Sequence, residues 1–246
     1  MAREQFPITL RHSYDISPQV RHLVFDRADA QPFDFIPGQF INVHFADQQG
    51  DMVQRSYSVA TIHDTKHALE IAIARVEGGK ATHCLFHLKE GEQIHASGPF
   101  GRLILKDEAI KRYILVATGT GVAPYRSMIN QFNARLQQAP ALNILVVLGV
   151  RQKVDGLYVD DFLKLMQEQP RFQFHICYSQ ENNTELGDHE HVGRVTHFMQ
   201  QLGVHKGEDI VYLCGHPDMI DELFAHLKTQ NFDNTDVRRE KYVFSH

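Results

Sequence analysis

This chain reads as two domains of different class, an antiparallel β-barrel over residues 1–106 and an α/β unit with a parallel sheet over residues 107–246. Three observations carry that expectation. The first part is built of short alternating apolar runs punctuated by Pro-Gly, Gly-Gly and Gly-Pro pairs. The second part alternates strand-like and helix-like segments, and the change falls at the charged stretch Lys106–Lys111. With 246 residues, 43% hydrophobic and 22% charged, the chain has apolar material for two cores.

In order, the barrel strands are expected at Ile8–Leu10, Val20–Phe25, Gln39–Phe45, Gln54–Ala60, Leu69–Val76, Gln93–Ala96 and Arg102–Leu105. One segment breaks the rhythm: Ala81, Cys84, Leu85 and Leu88 have helical spacing after Gly78-Gly79-Lys80. In the second half, strand Arg112–Ala117 leads through a glycine turn to helix Pro124–Gln137. Strand Leu142–Gly149 and helix Tyr158–Gln167 follow, then strand Phe172–Tyr178 and helix Val192–Leu202, then strand Ile210–Cys214 and helix Asp218–Gln230.

Composition excludes several classes. The formal charge of −5 comes from interspersed acids and bases, which gives no global nucleic-acid or membrane surface. No apolar run approaches the length of a membrane span, and Met1–Pro7 lacks the apolar core of a secretory signal. The three cysteines, at 84, 177 and 214, are too scattered for a disulfide framework or an iron–sulfur cluster. A soluble, cytoplasmic monomer is expected. The sixteen histidines include Asp188-His189-Glu190-His191, which reads as a solvated loop without a third metal ligand, so no metal is assigned. Asp160-Asp161 reads as a charge pair at a helix start, and no Gly-x-Ser-x-Gly nucleophile elbow is present.

Arg55-Ser56-Tyr57-Ser58 is the most informative stretch. Strand alternation puts Arg55 and Tyr57 on one face, where a guanidinium suits a phosphate and a phenol ring suits a flat ligand. Ser58 points the other way unless the strand bends or ends there. By themselves these residues also describe a solvated strand face. The helix opening at Gly79, Lys80, Ala81 and Thr82 offers backbone N–H groups to an anion. Thr118-Gly119-Thr120-Gly121-Val122-Ala123-Pro124 lies between strand and helix, where glycines admit a diphosphate and Pro124 suits the first helical turn. It lacks the third glycine of the full dinucleotide pattern. Cys214-Gly215-His216-Pro217 repeats the arrangement after a later strand, so both turns should border one crevice; Cys214 is either a ligand contact or an inert buried thiol.

Taken with Gly98-Pro99-Phe100-Gly101 and the C-terminal Glu240-Lys241-Tyr242, these motifs occur in an order that resembles the ferredoxin–NADP⁺ reductase family over essentially the whole chain. The resemblance implies an FAD-binding barrel, a Rossmann-like domain for NADP(H) or NAD(H), and hydride transfer between nicotinamide and flavin at their interface. It assigns Arg55, with Ser56 beside it, to the flavin phosphates, Tyr57 to the isoalloxazine face and Ser58 to its N5 edge. Gly79, Lys80, Ala81 and Thr82 would hold the pyrophosphate. Thr118, Gly119, Thr120, Gly121, Pro124 and Gly215 would form the nicotinamide-nucleotide site, and Cys214 would approach the nicotinamide ring. Tyr242, or else Phe244, would cover the other flavin face, and Glu240 would relay a proton or lie exposed. Arg151 is placed for a 2′-phosphate, but Ser179-Gln180 stands where many NADP-using relatives have Ser-Arg, so the choice of nucleotide stays open with a lean towards NADP(H). The expected partner is a ferredoxin or flavodoxin. The alternatives are a reductase serving an oxygenase or free flavin, and a non-enzymatic electron-transfer or regulatory subunit.

Overall fold

The computed structural model describes residues 5–62, 68–182 and 185–242. The first six strands are β1 (Gln5–Ser17), β2 (Val20–Arg27), β3 (Phe40–Ala46), β4 (Met52–Ser58), β5 (Ala68–Ala74) and β6 (Gln93–Phe100). They pair antiparallel in the order β4-β3-β6-β1-β2-β5. The sheet then curls shut. The chain leaving β4 bridges β5 at Val59 and Ile71, and Ala60 N–H donates to Glu70 O at 2.7 Å. Alternation supplies the barrel interior: Ile8, Leu23, Phe25, Ile41, Val43 and Ile71 are fully buried together. Helix α1 (Lys80–Leu85) plugs one end with Leu85, and Phe86 follows into the same core.

The second sheet is parallel throughout, in the order β10-β9-β8-β7-β11-β12. Its strands are β7 (Arg112–Thr118), β8 (Asn143–Val150), β9 (Phe172–Tyr178), β10 (Glu190–Val192), β11 (Asp209–Gly215) and β12 (Val237–Lys241). Helices α2 (Ala123–Ser127), α3 (Ile129–Gln138), α4 (Val159–Glu168), α5 (Val195–Gln201) and α6 (Pro217–Thr229) connect them. After β7 the chain builds outward on one side, then returns to lay β11 against β7 on the other. The strand order therefore reverses between β7 and β11, where a crevice opens beyond the carboxyl ends. Both glycine turns sit there. Among the described residues, no helix is long and apolar enough to cross a membrane.

Three local expectations are corrected, and one strand is added. Arg102–Leu105 is not a strand: Leu103 and Leu105 are buried against Tyr113 and Phe132 of the α/β half, so the segment is held by side chains rather than by a ladder. The helix expected over 124–137 is preceded by a tight 3₁₀ turn, Gly119–Val122, and is broken at Met128. There the Ser127 hydroxyl donates to Pro124 O, and Met128 is wholly buried with ψ −4°. The polar stretch around His189 is a turn only as far as Asp188-His189. Glu190 lies in strand β10 and accepts from the Tyr178 hydroxyl, Lys153 and Gly187 N–H. Burial opposes its charge, yet those donors hold the carboxyl down at about 2. Finally, β12 reads Val-Arg-Arg-Glu-Lys, an edge strand too charged for apolar periodicity to reveal in full.

The connector between the sheets is stapled rather than slack. Arg135 of α3 donates to Lys106 O at 2.8 Å, Leu105 O at 3.0 Å and the Tyr113 hydroxyl at 3.1 Å. Tyr113 and Tyr212 hydroxyls donate in turn to Lys106 O and Ile104 O. Replacing Arg135 with methionine keeps the aliphatic stem but takes the donor from Leu105 O and leaves Lys106 O with the Tyr113 hydroxyl alone. The expected loss is about 2–3 kcal/mol in urea unfolding, since the carbonyls lose a charged donor.

Candidate active site

A cleft of about 440 Å³ opens where the barrel meets the switch point of the parallel sheet. Its walls come from four places: the end of β4, the start of α1, the turn after β7 and the end of β12. Arg55, Ser56, Tyr57 and Ser58 all border it, as do Gly79, Ala81, Thr82, Thr120, Glu240 and Tyr242. Tyr57 is half-buried with its ring against the barrel core. Burial pushes its hydroxyl well above the ordinary range, so it stays neutral. Arg55 Nη1 donates to Gln54 O at 2.9 Å, while the Ser56 hydroxyl is spent on Asn42. Ser58 resolves the alternation problem: β4 ends on it, and its buried hydroxyl lies 2.6 Å from the Tyr242 hydroxyl.

At the α1 start, a Cβ on Gly79 would press Val76 at 3.1 Å. The Thr82 hydroxyl oxygen accepts Val76 N–H at 2.8 Å, which leaves its own proton to donate. The Lys80 side chain turns away from the cleft. Its ammonium is tied to the buried Asp47 carboxylate and borders a second cavity of about 700 Å³. The two cavities share Val76, Gly79 and Thr82.

The two glycine turns interlock. A Cβ on Gly121 would lie 2.4 Å from Cys214 O, and one on Gly215, whose φ is +127°, would lie 2.4 Å from Thr118 Oγ1. Thr118 Oγ1 accepts His216 N–H at 2.9 Å, so Thr118 and Gly215 shape the crevice from behind. Gly119, at φ +52°, has open space where a side chain would stand. Thr120 faces the cleft, and Pro124 is buried in the first turn of α2. Arg151 is exposed just beyond β8, outside the cleft, with Gln180 N–H donating to its carbonyl at 2.8 Å.

Cys214 is fully buried and does not line the cleft; its side chain meets that of Tyr242, which does. Burial raises its thiol well above the usual value, with Glu240 adding to the rise, so it is not a ready thiolate. The Tyr242 backbone is pinned by its N–H donating to Gly215 O at 2.8 Å. Phe244 lies outside the described residues. Glu240 is not the exposed carboxylate that composition suggests. Burial raises it to about 7, against a hydrogen bond from Ser58 that favours the charged form. Sequence reasoning missed the cleft floor, Ala72 and Ala74, two small residues on one face of β5. Small residues at alternate positions of an otherwise Leu/Ile-rich strand were the available signal.

These residues fit FAD. A cation and the unpaired first-turn N–H groups of α1 suit phosphates, a ring and a hydroxyl suit a flat heterocycle, and a glycine stands where a side chain would intrude. The Glu240 carboxyl makes a measurable statement about stability. Unfolded, it loses its proton near its ordinary 4.5, whereas folded it holds the proton to about 7. Stability in the flavin-free protein therefore falls as pH rises through that window. Urea unfolding at pH 5 and pH 8 should show Glu240→Gln gaining about 1–3 kcal/mol over the parent at the higher pH relative to the lower.

The comparisons with known proteins agree with this geometry. Residues 7–104 match the oxidoreductase FAD-binding domain family and residues 115–223 the oxidoreductase NAD-binding domain family. The chain is 31% identical over 220 residues to ferredoxin–NADP reductase B of Sorangium cellulosum, covering 88% of each. It is 30% identical over 218 residues to the reductase component of propane 2-monooxygenase of Mycolicibacterium smegmatis, covering 86% of this chain but 61% of that longer one. The crystal structure of Amycolatopsis cytochrome P450 reductase GcoB superimposes with a TM-score of 0.83 at 26% identity, over 97% of this chain and 69% of that one. With an FAD-binding half, a nicotinamide-nucleotide-binding half and a shared cleft between them, the chain belongs to the ferredoxin–NADP⁺ reductase family of oxidoreductases.

Proposed function

We propose that this protein passes reducing equivalents between NAD(P)H and a ferredoxin- or flavodoxin-type carrier, as a cytoplasmic monomer of two units, residues 1–106 and 107–246. The observation that carries the reading is the 2.6 Å contact between Ser58 and Tyr242, which brings a barrel strand and the last strand of the α/β half into one cleft. When bound there, FAD supplies a ring that accepts a hydride and releases electrons singly. The chain's own residues do the rest. Arg55 and the N–H groups of Lys80, Ala81 and Thr82 bind phosphate oxygens, while the Gly79 N–H donates to Val76 O at 3.0 Å and keeps the turn that presents them. Tyr57 and Tyr242 provide aromatic faces and exclude water. Ser58 holds a hydrogen bond at the reacting edge, and Glu240, poised near neutrality, gives or takes a proton through it. Cys214 supports Tyr242 from behind and meets a nicotinamide only if that ring moves. Thr118, Gly119, Thr120 and Gly121, with Gly215 and Pro124, shape the nucleotide end. Arg151 favours a 2′-phosphate, hence NADP(H), although Gln180 beside it adds no cation.

A second reading, a reductase serving an oxygenase, draws on the 30% identity to a monooxygenase reductase component. Purified protein should be yellow and release FAD on denaturation. Stopped-flow mixing should show faster flavin reduction by NADPH than by NADH; no reduction by either would leave only a non-enzymatic role. Arg55→Ala should weaken FAD retention about 10–100-fold, as expected for a lost charge-assisted phosphate contact, in a dialysis titration with free FAD.

A further inference from the structure

Arg126 of α2 does not border the cleft, but it spans the seam between the two halves. Its guanidinium reaches three elements at once. Nη1 donates to Ala60 O at 2.7 Å and Glu70 Oε2 at 2.6 Å, both from the barrel, and Nε donates to Asp161 of α4 at 2.7 Å. Its central carbon also lies over the Tyr158 ring, 4.6 Å from the centroid. Tyr158 in turn bonds His22 of β2 through its hydroxyl, at 2.8 Å. The positions of these partners matter. Ala60 lies two residues after Ser58, and Arg126 lies three residues after Ala123 and six after Thr120, both of which border the cleft. A second tether leaves the same helix: Ser127 Oγ accepts Gly38 N–H at 3.0 Å. Gly38 precedes Gln39, whose carbonyl accepts Val59 N–H. Helix α2 thus holds the segment after Ser58 from two sides while its N-terminal end carries the nucleotide turn.

We infer that Arg126 is a positioning residue for hydride transfer: it sets the separation between the nucleotide turn at 118–123 and the Ser58 segment. This rests on the reading of the cleft given above. Transfer between two bound rings is steeply sensitive to spacing, so a loosened seam slows the reaction without removing any group that touches either ligand. Lysine cannot replace the fork, because one ammonium on a flexible stem cannot hold Asp161, Glu70 and Ala60 in a fixed plane.

The test uses FAD-loaded full-length protein and compares the parent with Arg126→Lys. Flavin reduction at saturating nucleotide should slow by about tenfold or more. The long-wavelength absorbance that marks stacking of nicotinamide on flavin should weaken, while nucleotide Kd and FAD retention stay close to the parent's. In flavin-free protein, amide hydrogen exchange should accelerate at residues 58–61 and 119–127 together. A folded Arg126→Lys variant with the parent's saturating rate and absorbance band overturns the assignment and leaves Arg126 a stabilising contact only. If that variant does not fold, Asp161→Ala, which removes the acceptor of Nε and leaves Nη1 on Ala60 and Glu70, must show the same paired loss of rate and band; parental values there overturn it equally. A parent protein that neither nucleotide reduces would instead overturn the functional reading.

Discussion

The Arg126 guanidinium is the interaction on which the architecture turns. It is largely buried beside Glu70 and Asp161, two carboxylates that come from opposite halves of the molecule. Burial works against the cation, yet the two carboxylates raise its affinity for the proton still further. Burial likewise opposes the charge on Glu70, while the hydrogen bond from Arg126 and the His22 ring 3.2 Å away favour the ionised form. Arg126 already pairs with Asp161 of its own half and takes Glu70 of the barrel as a second carboxylate, so removing the guanidinium would leave Glu70 without its charged donor in the seam. The polar network is set in apolar packing that also crosses the seam: Val20, Ala60 and Ala72 of the barrel pack in the same core as Val122, Ala123 and Tyr125. A shared core with charges locked inside it holds the halves in one arrangement, and that arrangement creates the cleft.

The glycine turns are the second constraint. Parallel strands β7 and β11 end side by side, and the chain leaving each must pass within contact distance of the other. Gly121 against Cys214 and Gly215 against Thr118 make that passage possible with no side chain between them. The close approach brings the end of β12, and with it Glu240 and Tyr242, over the mouth of the barrel. Chemistry then follows from burial. The same desolvation that keeps the Tyr57 and Tyr242 hydroxyls neutral brings Glu240 to about 7, the one carboxyl among the cleft residues able to exchange a proton near neutrality.

Much of this was legible in the linear chain, and the parts that were not share a cause. Arg55, Tyr57, Ser58 and Thr120 could be named because strand alternation and glycine-turn geometry are local. Lys80 shares the helix opening with its neighbours, but its side chain answers to Asp47, 33 residues earlier, rather than to the cleft. Cys214 stood at the right strand end, yet it is fully buried and does not line the cleft. Arg126 gave no local signal at all, since an arginine early in a helix is unremarkable until Ala60, Glu70 and Asp161 surround it.

Sequence alone determined the strand and helix rhythm, the change from antiparallel to parallel architecture and the residue types that meet phosphates and flat rings, because each of these depends on periodicities of a few residues. Tertiary structure decided the direction of Ser58, the shielding of Cys214, the proton affinity of Glu240 and the clamp at Arg126. Each of those is a property of contacts between distant segments; the Ser58–Tyr242 contact spans 184 residues. Burial and hydrogen-bond geometry come into being only when such segments meet, so no local pattern encodes them.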